Sequence, residues 1–235
     1  MSVIAAFNQT PVTFRVAIAG SLMYLGSRYG ADLPAAANAI AEAPQQVASA
    51  IAGSDDINNF GVTAQDFGVN WKSDEWRSKA DAMAQKCLQH LPTVAPVAQK
   101  HGIPALLILA KHAREASCDF SRNALNGQPL NQRTTIVPAN YGPFNNWAES
   151  FDAAVGRGYY KQADWSKASE WMRVAEEFNG LGYRNMGKVS PYVWSGDRRY
   201  TIGKYVADGQ YDPNTVDQQI GVIPLVTAMM ELTNP

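Results

Sequence analysis

ILAKHAREASCDF, residues 108–120, is the stretch on which the reading of this chain turns. The apolar run "IPALLILA" climbs toward it, and Glu115 then stands beside Ala116, Ser117 and Cys118. Pro104 sits where the first turn of a helix tolerates a missing N–H. Leu106, Leu107, Leu109, Ala110 and Ala113 fall largely on one inward side, which predicts a helix over 104–116. Two readings of its end stay open. Glu115 is a solvated helix-end residue paired with Arg114 or Lys111, or it is a general acid held against small side chains.

Upstream, "SDEWRSKADAMAQKCLQHL" (73–91) carries Ser73 and Asp74 as N-cap candidates and acids in its first turn, and it stops before Pro92. A shorter helix is expected at 93–100. Downstream of Glu115 the helical period disappears. "NGQPLNQRTTIVPANYGPF" (126–144) holds an Asn-Gly pair, a Thr-Thr-Ile-Val run and three prolines, which predicts a turn or short hairpin. Helical signals return at 146–160, 164–180 and 216–232. The expected class is α+β, mostly α, with a small β element directly after Glu115.

Composition narrows the function classes. The chain has 235 residues, 46% of them apolar and 17% charged, which suits a packed domain rather than a disordered chain. A net charge of −1 supplies no global basic field, so nucleic acid is not an expected partner. Three histidines (His90, His101, His112) without a CxxC, HExxH or EF-hand pattern leave a metal site little to build on, and no cofactor is implied. Cys87 and Cys118 allow one bridge, and a reduced pair is an equal reading.

Residues 1–58 read differently from 59–235. "VAIAGSLMYLG" (16–26), flanked by Arg15 and Arg28, is shorter than the roughly 20 residues a membrane-spanning helix needs. It matches a signal h-region in length, with Ala37-Asn38-Ala39 as a small-x-small site, although the intervening segment is long and charged for that role. The Ala-rich stretch 31–53, divided by Pro44, reads as two short helices. These either pack on the main domain or form a membrane-surface or virion-docking appendage.

The order of features after the Glu115 helix resembles the lysozyme superfamily. "REASCDF", "LNGQPLNQRTTIVP", "GPF" and "WAESFDAA", followed by "AEEFNGLGYRNMGKVSPYVWSGDRRYTIGKYVADGQYD", are similar to the motifs of phage endolysins and related bacterial lysozymes, in the same order. The resemblance spans about residues 95–232. It implies a lysozyme-like catalytic domain over 59–235. The implied activity is cleavage of the peptidoglycan glycan strand between N-acetylmuramic acid and N-acetylglucosamine, in the periplasm or cell wall of a bacterial host or from a virion. Peptidoglycan is the implied partner, with membrane or virion contact through 1–58.

By the same resemblance Glu115 is the catalytic acid. A carboxyl at an apolar helix end is poorly solvated, which keeps its proton available for the glycosidic oxygen. Family members often have Asn-Gly-Asp-Pro-Leu where this chain has "NGQPL", so Gln128 replaces the second acid. Gln128, Thr134 or Thr135 would place a water, and Asp119 is a further candidate whose own chemistry favours a turn or cap role. A lytic transglycosylase needs no second acid, because the muramic 6-hydroxyl attacks instead. Asn179, also readable as a helix C-cap, would bind an acetamido group. Tyr192, Trp194 and Tyr200 would line the sugar site, in a span with Tyr205 that lacks strand-like regularity. Glu176 and Glu177 read as a solvated, ion-paired face, and Arg198, Arg199 and Lys204 as a solvated loop face or contacts to peptide carboxylates. Two other classes stay in play: a binding or virion structural protein without turnover, and a chitinase-type enzyme.

Overall fold

The computed structural model describes residues 60–158, 160, 163–207 and 209–233. The apolar run at 16–26, the small-x-small site at 37–39 and the boundary at residue 58 lie outside these residues. Among the described residues, eight α-helices and a two-stranded antiparallel sheet follow in order, which is α+β and mostly α.

Helix α1 (Asp74–Leu88) begins where expected, with the Ser73 hydroxyl accepting the Trp76 N–H at 3.4 Å. Its buried side is made of Ala80, Ala84, Cys87 and Leu88. Helix α2 (Leu91–His101) places Pro92 in its first turn and stops at left-handed Gly102. Helix α3 (Ala105–Ala116) is buried all round from Ala105 to Ala113, because other helices pack on every side of it. Each of the enclosed Leu106, Leu107, Ile108 and Leu109 side chains contributes about 2 kcal/mol of apolar transfer.

The end of α3 is held by an unusual backbone. Ser117 (φ 53°) and Cys118 (φ 55°) both sit in the left-handed region without being glycine. The Ser117 N–H donates to the Ala113 carbonyl at 2.8 Å. Cys118 is bonded to Cys87 at the end of α1, with Cα atoms 5.4 Å apart. The pairing that sequence left open is therefore a bridge.

The β element lies elsewhere than expected. Residues 117–146 form no ladder beyond one bridge between Arg122 and Pro129. Pro129, Pro138 and Pro143 cannot donate to one, and side chains satisfy the backbone instead. Gln128 Oε1 accepts the N–H groups of Thr135 (2.8 Å) and Ile136 (3.2 Å), and Thr134 Oγ1 accepts that of Tyr141 (3.0 Å).

Helix α4 (Trp147–Gly156), capped by Asn146, and helix α5 (Ala168–Asn179) match their predicted segments. Two single-turn helices follow, α6 (Gly182–Asn185) and α7 (Pro191–Trp194). The sheet comes after them, with β1 (Lys204–Ala207) pairing antiparallel to β2 (Gln210–Asp212) and the dipeptide Asp208-Gly209 between them in sequence.

Helix α8 (Val222–Thr233) starts six residues later than predicted from 216–232, with Pro224 in its first turn. Residues 216–221 instead run along the end of α3. Gly221 permits a close approach there: a Cβ would lie 2.6 Å from both the Ser195 nitrogen and the Val193 carbonyl oxygen. α8 then packs on α1 and α3 and closes the core.

Candidate active site

Glu115 lies in the last turn of α3 and is part-buried. Oε1 accepts a hydrogen bond from the Tyr192 hydroxyl at 3.0 Å. Tyr192, on α7, is itself buried between the Phe178 ring (6.0 Å, stacked) and the Arg114 guanidinium (5.0 Å from the ring centre). One helical turn before Glu115, Lys111 is 1% exposed, with its ammonium 3.5 Å from the ring centres of both Tyr160 and Phe178.

Burial raises the Glu115 pKa above its usual 4.5, held back by the Tyr192 hydrogen bond and by the charges of Arg114 and Lys111. Burial and the neighbouring Glu115 charge push the Tyr192 phenol well above its usual range, so it stays a donor. With Oε1 occupied by that donor, a carboxyl proton on Glu115 belongs on Oε2. The result is a carboxyl raised in proton affinity, with Oε1 oriented by Tyr192.

A second layer of charge sits behind it. Arg114 NH2 bonds Asp217 Oδ2 at 2.7 Å, and both side chains are more than nine-tenths buried. Burial alone would raise the Asp217 carboxyl, but the charge and hydrogen bond of Arg114 hold it below the usual carboxylate range. Lys204 approaches Asp217 Oδ1 at 3.5 Å, and the Tyr200 hydroxyl accepts the Asp217 N–H at 2.9 Å. This network fixes Arg114, and Arg114 fixes one face of Tyr192. Sequence reading did not single out Asp217 or Tyr160, and it named Lys111 only as a pairing partner of a solvated Glu115. The one available signal was Lys111 at i−4 from Glu115 within an otherwise apolar run.

The turn beyond α3 is pressed onto the acid's own backbone. Gly127 (φ +72°) lies so close that a Cβ there would stand 2.5 Å from the Glu115 carbonyl oxygen. Buried Asn123 rigidifies this turn: Oδ1 accepts from Leu125 N (2.9 Å) and Asn126 N (3.0 Å), and Nδ2 donates to Gln128 O (2.8 Å). Gly127→Ala meets both a disfavoured φ and a backbone clash, and is expected to cost at least about 2 kcal/mol in denaturant unfolding. A cost under about 0.5 kcal/mol would mean that the turn and helix end separate freely.

The sequence-predicted residues divide into two groups. Tyr192 joins Glu115 directly, but as a buried donor to the acid rather than as an open sugar platform. Asn179 ends α5 beside Phe178 and is exposed, with no hydrogen bond to its side chain among the described residues. Gln128 follows Gly127, but its amide is used within the loop, with Nε2 donating to Thr135 Oγ1 at 2.9 Å. Thr135 is exposed at that contact. Thr134 is buried and its hydroxyl donates to the Pro138 carbonyl at 2.6 Å, so it is turned into its own loop and away from solvent.

Trp194 and Tyr200 face other surroundings. The Arg199 guanidinium lies 3.7 Å over the Trp194 ring, and the Lys72 ammonium lies 4.7 Å over that of Tyr200. Arg199 is bound to buried Asp197 and to the Phe67 and Gly68 carbonyls, and Arg198 donates to the Trp71 carbonyl. The solvated loop face expected for these arginines is therefore a clamp on residues 67–71. Asp119 takes the turn role: it accepts from Ser121 N and Oγ and from Arg122, which hold its carboxyl below the usual range. Glu176 and Glu177 pair with Arg184 and Arg173, so the expected ion pairing is present, on a part-buried face.

Among the described residues, no group of three or more His, Cys, Asp or Glu side chains is placed to hold a metal ion, and no helix is long and apolar enough to cross a membrane. Comparison of the chain with models of known families, with curated proteins and with solved structures returned no match.

Proposed function

We propose that this protein is a lysozyme-like peptidoglycan glycosidase, a muramidase of endolysin type, with Glu115 as its general acid. The observation that supports this reading is the Glu115 carboxyl itself. It is part-buried at an apolar helix end, oriented through Oε1 by Tyr192, and raised in proton affinity. Such a group delivers the Oε2 proton to a glycosidic oxygen as the sugar becomes oxocarbenium-like. A carboxyl kept neutral by apolar surroundings is the type case of lysozyme chemistry, and burial acts on Glu115 in the same direction.

Asn179, exposed beside Phe178, would receive an acetamido group. The Cys87–Cys118 bridge suits an oxidising compartment, consistent with action in the periplasm, at the cell wall or from a virion. Residues 1–58 would deliver the domain over 59–235 to that site, by export, by a membrane surface or by virion docking.

A second reading has its own support. Asp119 and Asp217 are committed to Arg122 and Arg114, so neither is free to serve as the partner carboxylate. A lytic transglycosylase needs none, since the muramic 6-hydroxyl attacks its own anomeric carbon as the glycosidic bond breaks, the leaving oxygen takes the proton of Glu115, and an anhydro end remains. Substrate class is tested by comparing release of soluble fragments from purified sacculi with cleavage of chitin oligomers. Release from sacculi alone is expected. Equal rates on both would indicate a chitinase-type enzyme, and binding to sacculi without release a structural protein.

A further inference from the structure

We propose that Lys111 is a positioning residue for Glu115: its ammonium, held between the faces of Tyr160 and Phe178 one helical turn before the acid, governs how readily Glu115 gives up its proton. The inference rests on the reading of Glu115 as the acid and extends it to the residue that tunes it.

The geometry makes Lys111 an unusual core residue. It is 1% exposed on a helix that is otherwise apolar at this depth, and a buried cation is retained only with strong compensation. Two ring centres at 3.5 Å supply part of it, because the negative faces of Tyr160 and Phe178 both point at the ammonium. Those rings are 6.2 Å apart, so the ammonium sits between them. Spacing of i, i+4 on α3 puts Glu115 on the same side of the helix.

The influence runs both ways. Burial drives Lys111 well below its usual range and the Glu115 charge opposes this, while the Lys111 charge opposes the upward drive on Glu115. The groups facing Glu115 are Lys111 and Arg114 from α3, Tyr192 from α7 and Tyr160 from the segment before α5, with Arg114 facing Asp217 in turn. Arg114 and Lys111 both oppose the upward drive on Glu115; Arg114 is also bound to Asp217, while Lys111 lies one helical turn before the acid on the same helix. An acid that is too firmly protonated donates poorly, so a nearby cation brings it toward the working pH. Tyr160 and Phe178 thereby acquire a role beyond packing: they keep that cation in place.

The test is a titration of the Glu115 carboxyl by carbon NMR, assigned with Glu115→Gln, in wild type, Lys111→Met and Phe178→Leu. Lys111→Met removes the charge at nearly constant volume and is expected to move the titration up by about one pH unit. The alkaline limb of wall-fragment release should move with it. Phe178→Leu removes one aromatic face and should give a smaller shift in the same direction, which serves if the methionine variant folds poorly. An unchanged titration in both variants would overturn the inference. If no variant releases fragments at any pH while the NMR shift is present, the peptidoglycan reading fails and the coupling stands. Release with an unshifted limb would show the reverse.

Discussion

Glu115→Gln is expected to lower the initial rate of fragment release from purified sacculi about a thousandfold, in line with the usual contribution of a general acid. The carboxamide keeps the shape, and its oxygen still accepts from Tyr192 at Oε1, but it has no acidic proton to place on a leaving oxygen. A loss of less than about tenfold would remove Glu115 from that role. The same variant has a signature in stability. Because burial raises the Glu115 pKa, the folded protein holds this proton at pH values where the unfolded chain, near 4.5, has released it. The stability linked to Glu115 is thus fully present below about 4.5 and is lost as pH rises through the folded value. Glu115→Gln lacks this loss, so its stability relative to wild type is expected to increase with pH across that window. Chemical denaturation at several pH values measures it, and a difference that stays constant or falls would contradict a raised proton affinity.

Removing the Cys87–Cys118 bridge is expected to produce the largest loss of stability of any change considered. The bridge spans 31 residues of sequence, and a cross-link over a loop of that length restrains the unfolded chain by about 4 kcal/mol. For a domain of this size that corresponds to roughly 10 °C in Tm. The effect reaches the site as well. Ser117 and Cys118 hold left-handed conformations directly after the helix that ends in Glu115, and Cys118 is the anchored one. Cys87→Ala with Cys118→Ala should therefore lower both Tm and the rate of fragment release. Calorimetry with and without reductant checks the first. A Tm shift under about 3 °C would mean that the ends of α1 and α3 are held by packing alone.

The helices were legible because their signals are local. Ser73 caps α1, Pro104 stands just before α3, and the leucines before Glu115 fall largely on one inward side. The sheet was misplaced because the Thr-Thr-Ile-Val run has strand chemistry but no partner with free donors. Its prolines and the Gln128 side chain took the pairing groups, while the true hairpin announced itself only by Asp208-Gly209. α8 was extended too far because the Val216–Gln219 stretch is helix-compatible. What holds it extended is Asp217 reaching Arg114, a contact across about a hundred residues.

The site was legible in one residue and opaque around it. Glu115 stood out through its neighbours in sequence, and Tyr192 through the motif containing it, but the direction of the Tyr192 hydroxyl depends on where α7 docks. Lys111 reads as the polar side of a helix until α5 and Tyr160 are seen to cover it. Trp194 and Tyr200 share a span with Tyr192, yet a single helical turn sends their rings to Arg199 and Lys72. Aromatic residues close in sequence need not share a surface when the segment carrying them is irregular.

The most direct measurement is mass spectrometry of the fragments released from purified peptidoglycan by wild type beside Glu115→Gln. Reducing muramic ends that disappear in the variant are the expected result, and anhydro ends that disappear would assign the transglycosylase reaction to the same acid. Fragments released equally by both proteins, or by neither from a wall that both bind, would contradict the assignment of Glu115 as the catalytic acid.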